Sequence, residues 1–397
     1  MTKRTHKRHR SRSRSRKIVK KSRKLKSHKL KGGKALGKGT YGVVMGKPRI
    51  PCINENFVKD RIESKDEASK LFFNEARDTP VIVQTLELLN KSFTKNELKD
   101  LNNYFIMPEQ LCKINHKELD AHASVYNDAW REGVDVSKYK IQTVSDLGKN
   151  DLNKELANAT TRADLISFIK KMRTIIEGIA KIHEKDIMHG DLKLGNAMVD
   201  LKGVFKIIDN DELKDIKNFK FDESFFYNNH SYAIWPTLIN MELSRYYKTK
   251  YKTEEEYVKT TAAIPFNSSS RTNFNMTYKE TLSKITRPDF THTFLTEKDY
   301  NNHISMFKPI IKKLVRLHGK DSDKHMNVMY KFIDRYSFGF MLLDILKRWF
   351  EVEGAKDDEP IIADLLELIE NCCFIENGLK ITTNEIKTQY FAFADSL

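Results

Sequence analysis

The sequence predicts an α+β fold, with β-rich segments early in the chain and helical ones later, and three observations carry that expectation. Between residues 35 and 59, short runs of β-formers are broken by glycines at 37, 39, 42 and 46. Two apolar runs, 197–199 and 204–208, flank Asp200-Leu201-Lys202-Gly203, whose Asp and Gly suit a tight turn, so the segment reads as a hairpin. Apolar residues at 169, 172, 176, 179 and 183 recur at helical spacing, and 332–346 is apolar around nearly its whole circumference, as in a helix buried on all sides.

Composition bounds what such a chain can be. With 40% apolar and 10% aromatic residues in 397, it can bury a substantial core. Cysteines 52, 112, 372 and 373 have no metal-ligand spacing and read as free thiols of a reducing interior. No run approaches the roughly 18–20 apolar residues of a membrane helix, so a soluble, intracellular protein with no membrane partner is expected. The net charge of +16 is uneven: residues 1–34 hold 17 Lys or Arg and no acid, which leaves 53 bases against 54 acids in the body. This Ser/Arg/Lys-rich arm lacks the apolar surface to offset chain entropy and is expected to be disordered. Its charge suits nucleic acid or another polyanion through counterion release, or a nuclear or virion address, against the plainer reading of a solubilising tail.

After the arm, Leu36-Gly37-Lys38-Gly39-Thr40-Tyr41-Gly42-Val43-Val44 has glycines in G-x-G-x-x-G spacing, which lets backbone approach phosphate without Cβ obstruction. The β-formers that follow, and Pro48, argue for strand-turn-strand rather than the strand-to-helix turn of a dinucleotide fold. Phe57-Val58-Lys59 reads as a strand delivering a lysine. The stretch 65–78 reads as a helix offering Glu75, or Glu67, as that lysine's partner. Val81–Leu89 looks helical, 104–107 and 139–144 look like strands, 113–138 reads as an insertion, and Ser145-Asp146-Leu147-Gly148 as the hinge between lobes. Leu165–His183 is then one amphipathic helix, with His183 a packed structural residue. Folding the 197–208 hairpin brings Asn196 and Asp209 together at its open end, with Asp191 just upstream. Such hard oxygen ligands suit Mg²⁺.

In Ile187-Met188-His189-Gly190-Asp191-Leu192-Lys193-Leu194-Gly195-Asn196, followed by Ile208-Asp209, the chain resembles the protein kinases, whose pattern is H-R-D-L-x-x-x-N and then D-F-G. The separations of Asn196 and Asp209 from Asp191 agree with the family's. The resemblance extends to the Gly-rich segment, residues 36–44, to Lys59 as the V-A-I-K lysine paired with Glu75, to Asp334-Arg335-Tyr336-Ser337 as the start of the central helix, and to Lys380-Ile381-Thr382. It implies a bilobal kinase fold, ATP and Mg²⁺ as cofactors, and phosphoryl transfer to Ser/Thr hydroxyls of a protein substrate. Asp191 would be the catalytic base, Lys193 a neutraliser of phosphate charge, Asn196 and Asp209 the metal ligands, and Asp334 the anchor of the catalytic loop. The lobes would span 35–144 and 145–397, the second with an insertion near 240–330.

The departures are Gly190 for the Arg that reads an activating phosphate, Asn210 for the Phe of D-F-G, and no A-P-E. Activity independent of a loop phosphate is therefore expected. H-G-D-L with I-D-x-D also resembles the aminoglycoside and choline phosphotransferases, which keeps a small-molecule kinase open as an alternative. A pseudokinase scaffold acting through its arm is another. A divergent kinase with such an arm resembles those of large DNA viruses.

Overall fold

Six antiparallel strands open the computed structural model, which describes residues 35–38, 42–46, 50–58, 66–115, 117, 119, 136–210, 213–218, 322–355, 359–373 and 380–397. The strands are β1 (Ala35–Lys38), β2 (Gly42–Gly46), β3 (Cys52–Val58), β4 (Glu67–Phe72), β5 (Gln110–Ile114) and β6 (Ile141–Asp146). They lie side by side in the order β1-β2-β4-β6-β5-β3. Neighbouring residues on a strand face opposite ways. Leu71 accordingly packs with Val43, Met45, Ile50 and Tyr139, while Phe72 packs with Leu111, Ile141 and Ile82. Ile82 belongs to helix α1 (Glu75–Ser92), which is followed by α2 (Lys95–Leu101).

Three sequence expectations need correction here. The helix expected over 65–78 is strand β4 up to Phe72, and only from Glu75 does helix begin. Glu67-Ala68-Ser69-Lys70-Leu71 carries no β-branched residue and favours helix locally. Pairing with β2 on one side and β6 on the other overrides that preference. The stretch 104–107 is no sheet strand: it makes a single parallel bridge, Phe105 with Ile207. Cys52 and Cys112 are joined in a disulfide between the paired strands β3 and β5, with Cα atoms 5.7 Å apart, while Cys372 and Cys373 are free and buried. Most of the insertion expected at 113–138 lies outside the described residues, as does the arm.

The chain leaves the first sheet at Asp146 and enters a second one at Gly148. Strand β7 (Gly148–Asp151) pairs with β9 (Ala197–Asp200), which pairs with β10 (Phe205–Ile207); a separate two-stranded ladder joins β8 (Ile187–Met188) to β11 (Lys214–Asp215). Leu147, at the crossing, donates its N–H to the Asp66 carbonyl at 3.0 Å. Helices α3 (Leu152–Asn158), α4 (Arg162–Lys171), α5 (Arg173–Glu184), α6 (Ser322–Glu351), α7 (Glu359–Cys373) and α8 (Thr383–Ser396) make the helical part. The single helix expected over 165–183 is two, α4 and α5, meeting at Met172, across which the apolar stripe continues. Of the insertion expected near 240–330, residues 322–330 open α6 and the rest lies outside the described residues.

Helix α6 is the axis of this lobe. Phe332, Ile333, Phe338, Leu342, Leu346 and Trp349 are all fully buried in one large apolar cluster with α4, α5, α7 and α8. At Gly339 it passes so close to α7 that an added Cβ would lie 2.5 Å from the Cys372 Cβ and the Cys373 Sγ. Helix α8 starts from a capping box in which Thr382 and Glu385 each accept the other's backbone N–H. It docks on α4 and α5 through Tyr390, whose hydroxyl donates to the Ile169 carbonyl at 2.7 Å.

Candidate active site

The hairpin β9–β10 sets the site's base. Its turn is held by the Asp200 carboxylate, which accepts the N–H groups of Lys202 at 2.8 Å and Val204 at 2.9 Å, with Gly203 at φ 88°. At the open end the Ile208 N–H donates to the Asn196 carbonyl at 2.9 Å, which fixes Asn196 beside the residue just before Asp209. Asn196 turns its carboxamide nitrogen to Asp191, donating to both the backbone carbonyl and Oδ2 at 2.8 Å. Among the described residues its carboxamide oxygen has no hydrogen-bond partner. Lys193 reaches the same carboxylate, Nζ to Oδ2 at 2.9 Å. Asp191, Lys193 and Asn196 thus form one contiguous group.

Below them, Asp334 of α6 is fully buried and fixes the loop. Its Oδ2 accepts the His189 N–H at 2.7 Å and its Oδ1 the Gly190 N–H at 2.8 Å. His183, buried on α5, contacts the same Oδ2 through Nε2 at 3.0 Å and the Thr383 hydroxyl through Nδ1 at 2.7 Å. Burial holds the His183 imidazole below its ordinary pKa in spite of the adjacent carboxylate. A neutral ring must then donate from Nε2 to Asp334 and accept at Nδ1 from Thr383. Burial pushes the Asp334 carboxyl upward, but His183 and the backbone donors outweigh it and hold it ionised below the usual range. His183 is therefore packed and structural, and also polar: it ties α5, α6 and α8 to the loop.

Asp209 sits at φ 61°, the left-handed region that Asp tolerates better than most residues. Its partner across the lobes is Lys70 of β4, in an ion pair that also satisfies hydrogen-bond geometry. Burial alone would raise the Asp209 carboxyl; the Lys70 ammonium, with help from His189 and Lys193, outweighs it and lowers the pKa. Asn210 is buried beneath, its carboxamide nitrogen donating to the Ile106 carbonyl at 3.0 Å and the Ile207 carbonyl at 3.3 Å.

Lys70 is the site residue that sequence reasoning missed. Lys59 itself lies outside the described residues, but β3, the strand that leads to it, is at the far edge of the sheet. The strand beside the Gly-rich hairpin is β4. A signal was present in the sequence: Ala68-Ser69-Lys70 keeps the alanine two places before the lysine, as V-A-I-K does, whereas Lys59 has Phe57 there. Glu75, expected to pair with Lys59, opens α1 and pairs with Lys113 of β5 at 2.7 Å on the surface. In the Gly-rich segment, Leu36, Gly37 and Lys38 are on β1 and Gly42, Val43 and Val44 on β2, an antiparallel hairpin as expected. Gly39, Thr40 and Tyr41 lie outside the described residues. Val43 points into the core, while Leu36 is exposed and Val44 half-buried, free to line a ligand.

For a divalent cation, the donors at hand are the Asp209 carboxylate and the Asn196 carboxamide oxygen. Among the described residues no group of three or more His, Cys, Asp or Glu is placed to hold a metal. The set therefore fits an ion that draws its other ligands from water and phosphate, as Mg²⁺ does, rather than an all-protein cage.

A sheet lobe joined through Leu147 to a helical lobe, with a buried aspartate under a His-x-Asp loop and a lysine–aspartate pair between the lobes, is a bilobal protein-kinase-like fold. The chain is related to the protein kinase superfamily: it is 27% identical over 106 residues to cyclin-dependent kinase 9 of Danio rerio, a match that covers 26% of this chain and 28% of that protein. The match thus spans little more than a quarter of the curated relative. No family model matches the chain. The crystal structure of a kinase domain from a rhoptry antigen specific to Toxoplasma gondii overlays 92% of this chain on 81% of its own, at 10% identity and a TM-score of 0.46. That overlay is too loose to decide the fold, which the sheet order and the site carry. Among the described residues no helix is long and apolar enough to cross a membrane.

Proposed function

We propose that this chain transfers the γ-phosphoryl group of ATP to Ser/Thr hydroxyls of protein substrates. The observation that carries the reading is the Lys70–Asp209 pair, which sets a cation for phosphate oxygens and an anion for a metal side by side. Lys70 neutralises phosphate charge from the sheet side. Asp191 accepts the proton of the acceptor hydroxyl as the bond from that oxygen to phosphorus forms and the bond to the bridging oxygen of ADP breaks. Lys193, 2.9 Å from Asp191, holds the base in place and offers its charge to the transferred group. Bound Mg²⁺, held by Asp209 and Asn196, would supply charge neutralisation along the phosphate chain. Asp334 keeps the loop backbone, and with it Asp191, where the hydroxyl arrives.

The relation to a cyclin-dependent kinase and Lys193, two places after the base, favour a protein acceptor. Nucleic acid or another polyanion is proposed as a partner of residues 1–34, by charge alone. The test incubates the full chain with γ-labelled ATP, Mg²⁺, a basic protein, Ser/Thr peptides and amino sugars. Label on Ser or Thr supports the proposal; label on the sugars alone overturns the choice of acceptor, and none anywhere overturns the activity.

A further inference from the structure

Asn210 follows the metal-side acid directly, yet it is almost fully buried and makes its bonds away from any ligand. Its carboxamide nitrogen faces two backbone carbonyls, Ile106 at 3.0 Å and Ile207 at 3.3 Å. Two acceptors facing one terminus require the NH₂ end there, so the amide can sit only one way round. Its Oδ1 is buried with no partner among the described residues, a cost that an apolar residue of the same size would avoid. The same two segments are laced by backbone bonds: the Ile106 N–H donates to the Ile207 carbonyl at 2.9 Å, and the Ile207 N–H to the Tyr104 carbonyl at 2.8 Å. Residues 104–106 lie between α2 and β5 along the chain, and Phe105 is buried in the same apolar cluster as the helical lobe, whereas 207–210 end the hairpin β9–β10.

We infer that Asn210 is a positioning residue for Asp209, a tether that holds this acid opposite Lys70 by hydrogen-bonding the hairpin's end to the segment after α2. The inference rests on the reading of Asp209 as a metal-side ligand of a phosphotransferase. The chain at Asp209 is in the left-handed region, and a residue there stays only if its neighbours hold it. Asn210 supplies that hold in the ligand-free protein, with no nucleotide or modification needed to set it.

The test compares wild type with Asn210→Leu, which keeps the size and removes the donor, and Asn210→Ser, which keeps one shorter donor. Leu366→Ala, a core change in α7 remote from the site, controls for lost stability alone. In protein free of Mg²⁺ and nucleotide, amide hydrogen exchange in peptides covering 104–108 and 205–210 should be about tenfold faster in Asn210→Leu, the loss of one buried bond. The Mg²⁺ concentration for half-maximal binding of a fluorescent ATP analogue should rise by a similar factor. Asn210→Ser should fall between, and Leu366→Ala should shift neither. Wild-type exchange and Mg²⁺ requirement in Asn210→Leu would overturn the inference, as would equal shifts in Leu366→Ala. If Asn210→Leu does not fold, an unshifted Asn210→Ser overturns it. Failure of wild type to bind Mg²⁺ and the ATP analogue would instead overturn the phosphotransferase reading, while the exchange data still decide the tether.

Discussion

Replacing Asp334 by Asn should cost more than its small change in volume suggests. The carboxylate accepts three donors: His189 N–H and His183 Nε2 on Oδ2, and Gly190 N–H on Oδ1. An asparagine has one acceptor. With its oxygen at the Oδ2 position it keeps two of the bonds, now neutral rather than charge-assisted, a loss of about 1 kcal/mol each. Its NH₂ then faces the Gly190 N–H, so that bond is replaced by a donor–donor contact at about 1–3 kcal/mol. Removing a charge from the interior returns part of this. The net is about 3 kcal/mol, a large share of the roughly 5–15 kcal/mol that holds a domain together. Urea unfolding followed by circular dichroism should show a lower midpoint at unchanged slope, and phosphoryl transfer should fall because the Asp191 loop has lost its anchor. A destabilisation under about 1 kcal/mol with transfer intact would refute the anchoring role.

Two further outcomes follow from the same geometry. Lys70→Met should abolish phosphoryl transfer in a folded protein, whereas Lys59→Met should leave it within about twofold; the reverse result would return the phosphate role to Lys59. Between pH 7 and 5 the protein should lose stability. The folded His183 pKa lies below the ordinary 6.5, so the unfolded chain takes up the proton first; stability is full above 6.5 and drains as pH falls toward the depressed value. His183→Gln should flatten the urea midpoint across that range, and an unchanged slope would contradict the assignment.

What was legible in the sequence was whatever depends on short-range spacing. The hairpin 197–208 needs only its turn and two apolar runs. Asp191, Lys193 and Asn196 are brought together by local chain geometry, so their spacing carried their contacts. Asp334 was reached through the resemblance of Asp334-Arg335-Tyr336-Ser337 to the start of the kinases' central helix, although α6 already begins at Ser322 and Asp334 lies well inside it. Lys70 was missed for a physical reason: strand β4 is made by pairing with β2 and β6, not by its own residues, and a stretch of Glu, Ala, Ser, Lys and Leu looks helical until its neighbours arrive. Lys59, which follows a run of β-formers in the sequence, then looked like the better candidate. Asn210 and His183 act through partners more than 100 residues away, Ile106 for one and Asp334 for the other. No local pattern encodes such pairings. The Cys52–Cys112 disulfide escaped for the same reason, since it depends on β3 lying beside β5.

The central claim, that Asp191 is the base of a phosphoryl transfer, is tested most directly by Asp191→Asn. Wild type and variant would be given γ-labelled ATP, Mg²⁺ and a basic protein acceptor, with nucleotide affinity measured separately. The variant keeps a side chain of the same shape for Lys193 and Asn196 to contact but cannot take the hydroxyl proton. Transfer should fall by about 10²–10⁴-fold while the ATP dissociation constant stays within about threefold of wild type. Transfer by Asp191→Asn at the wild-type rate would contradict the account.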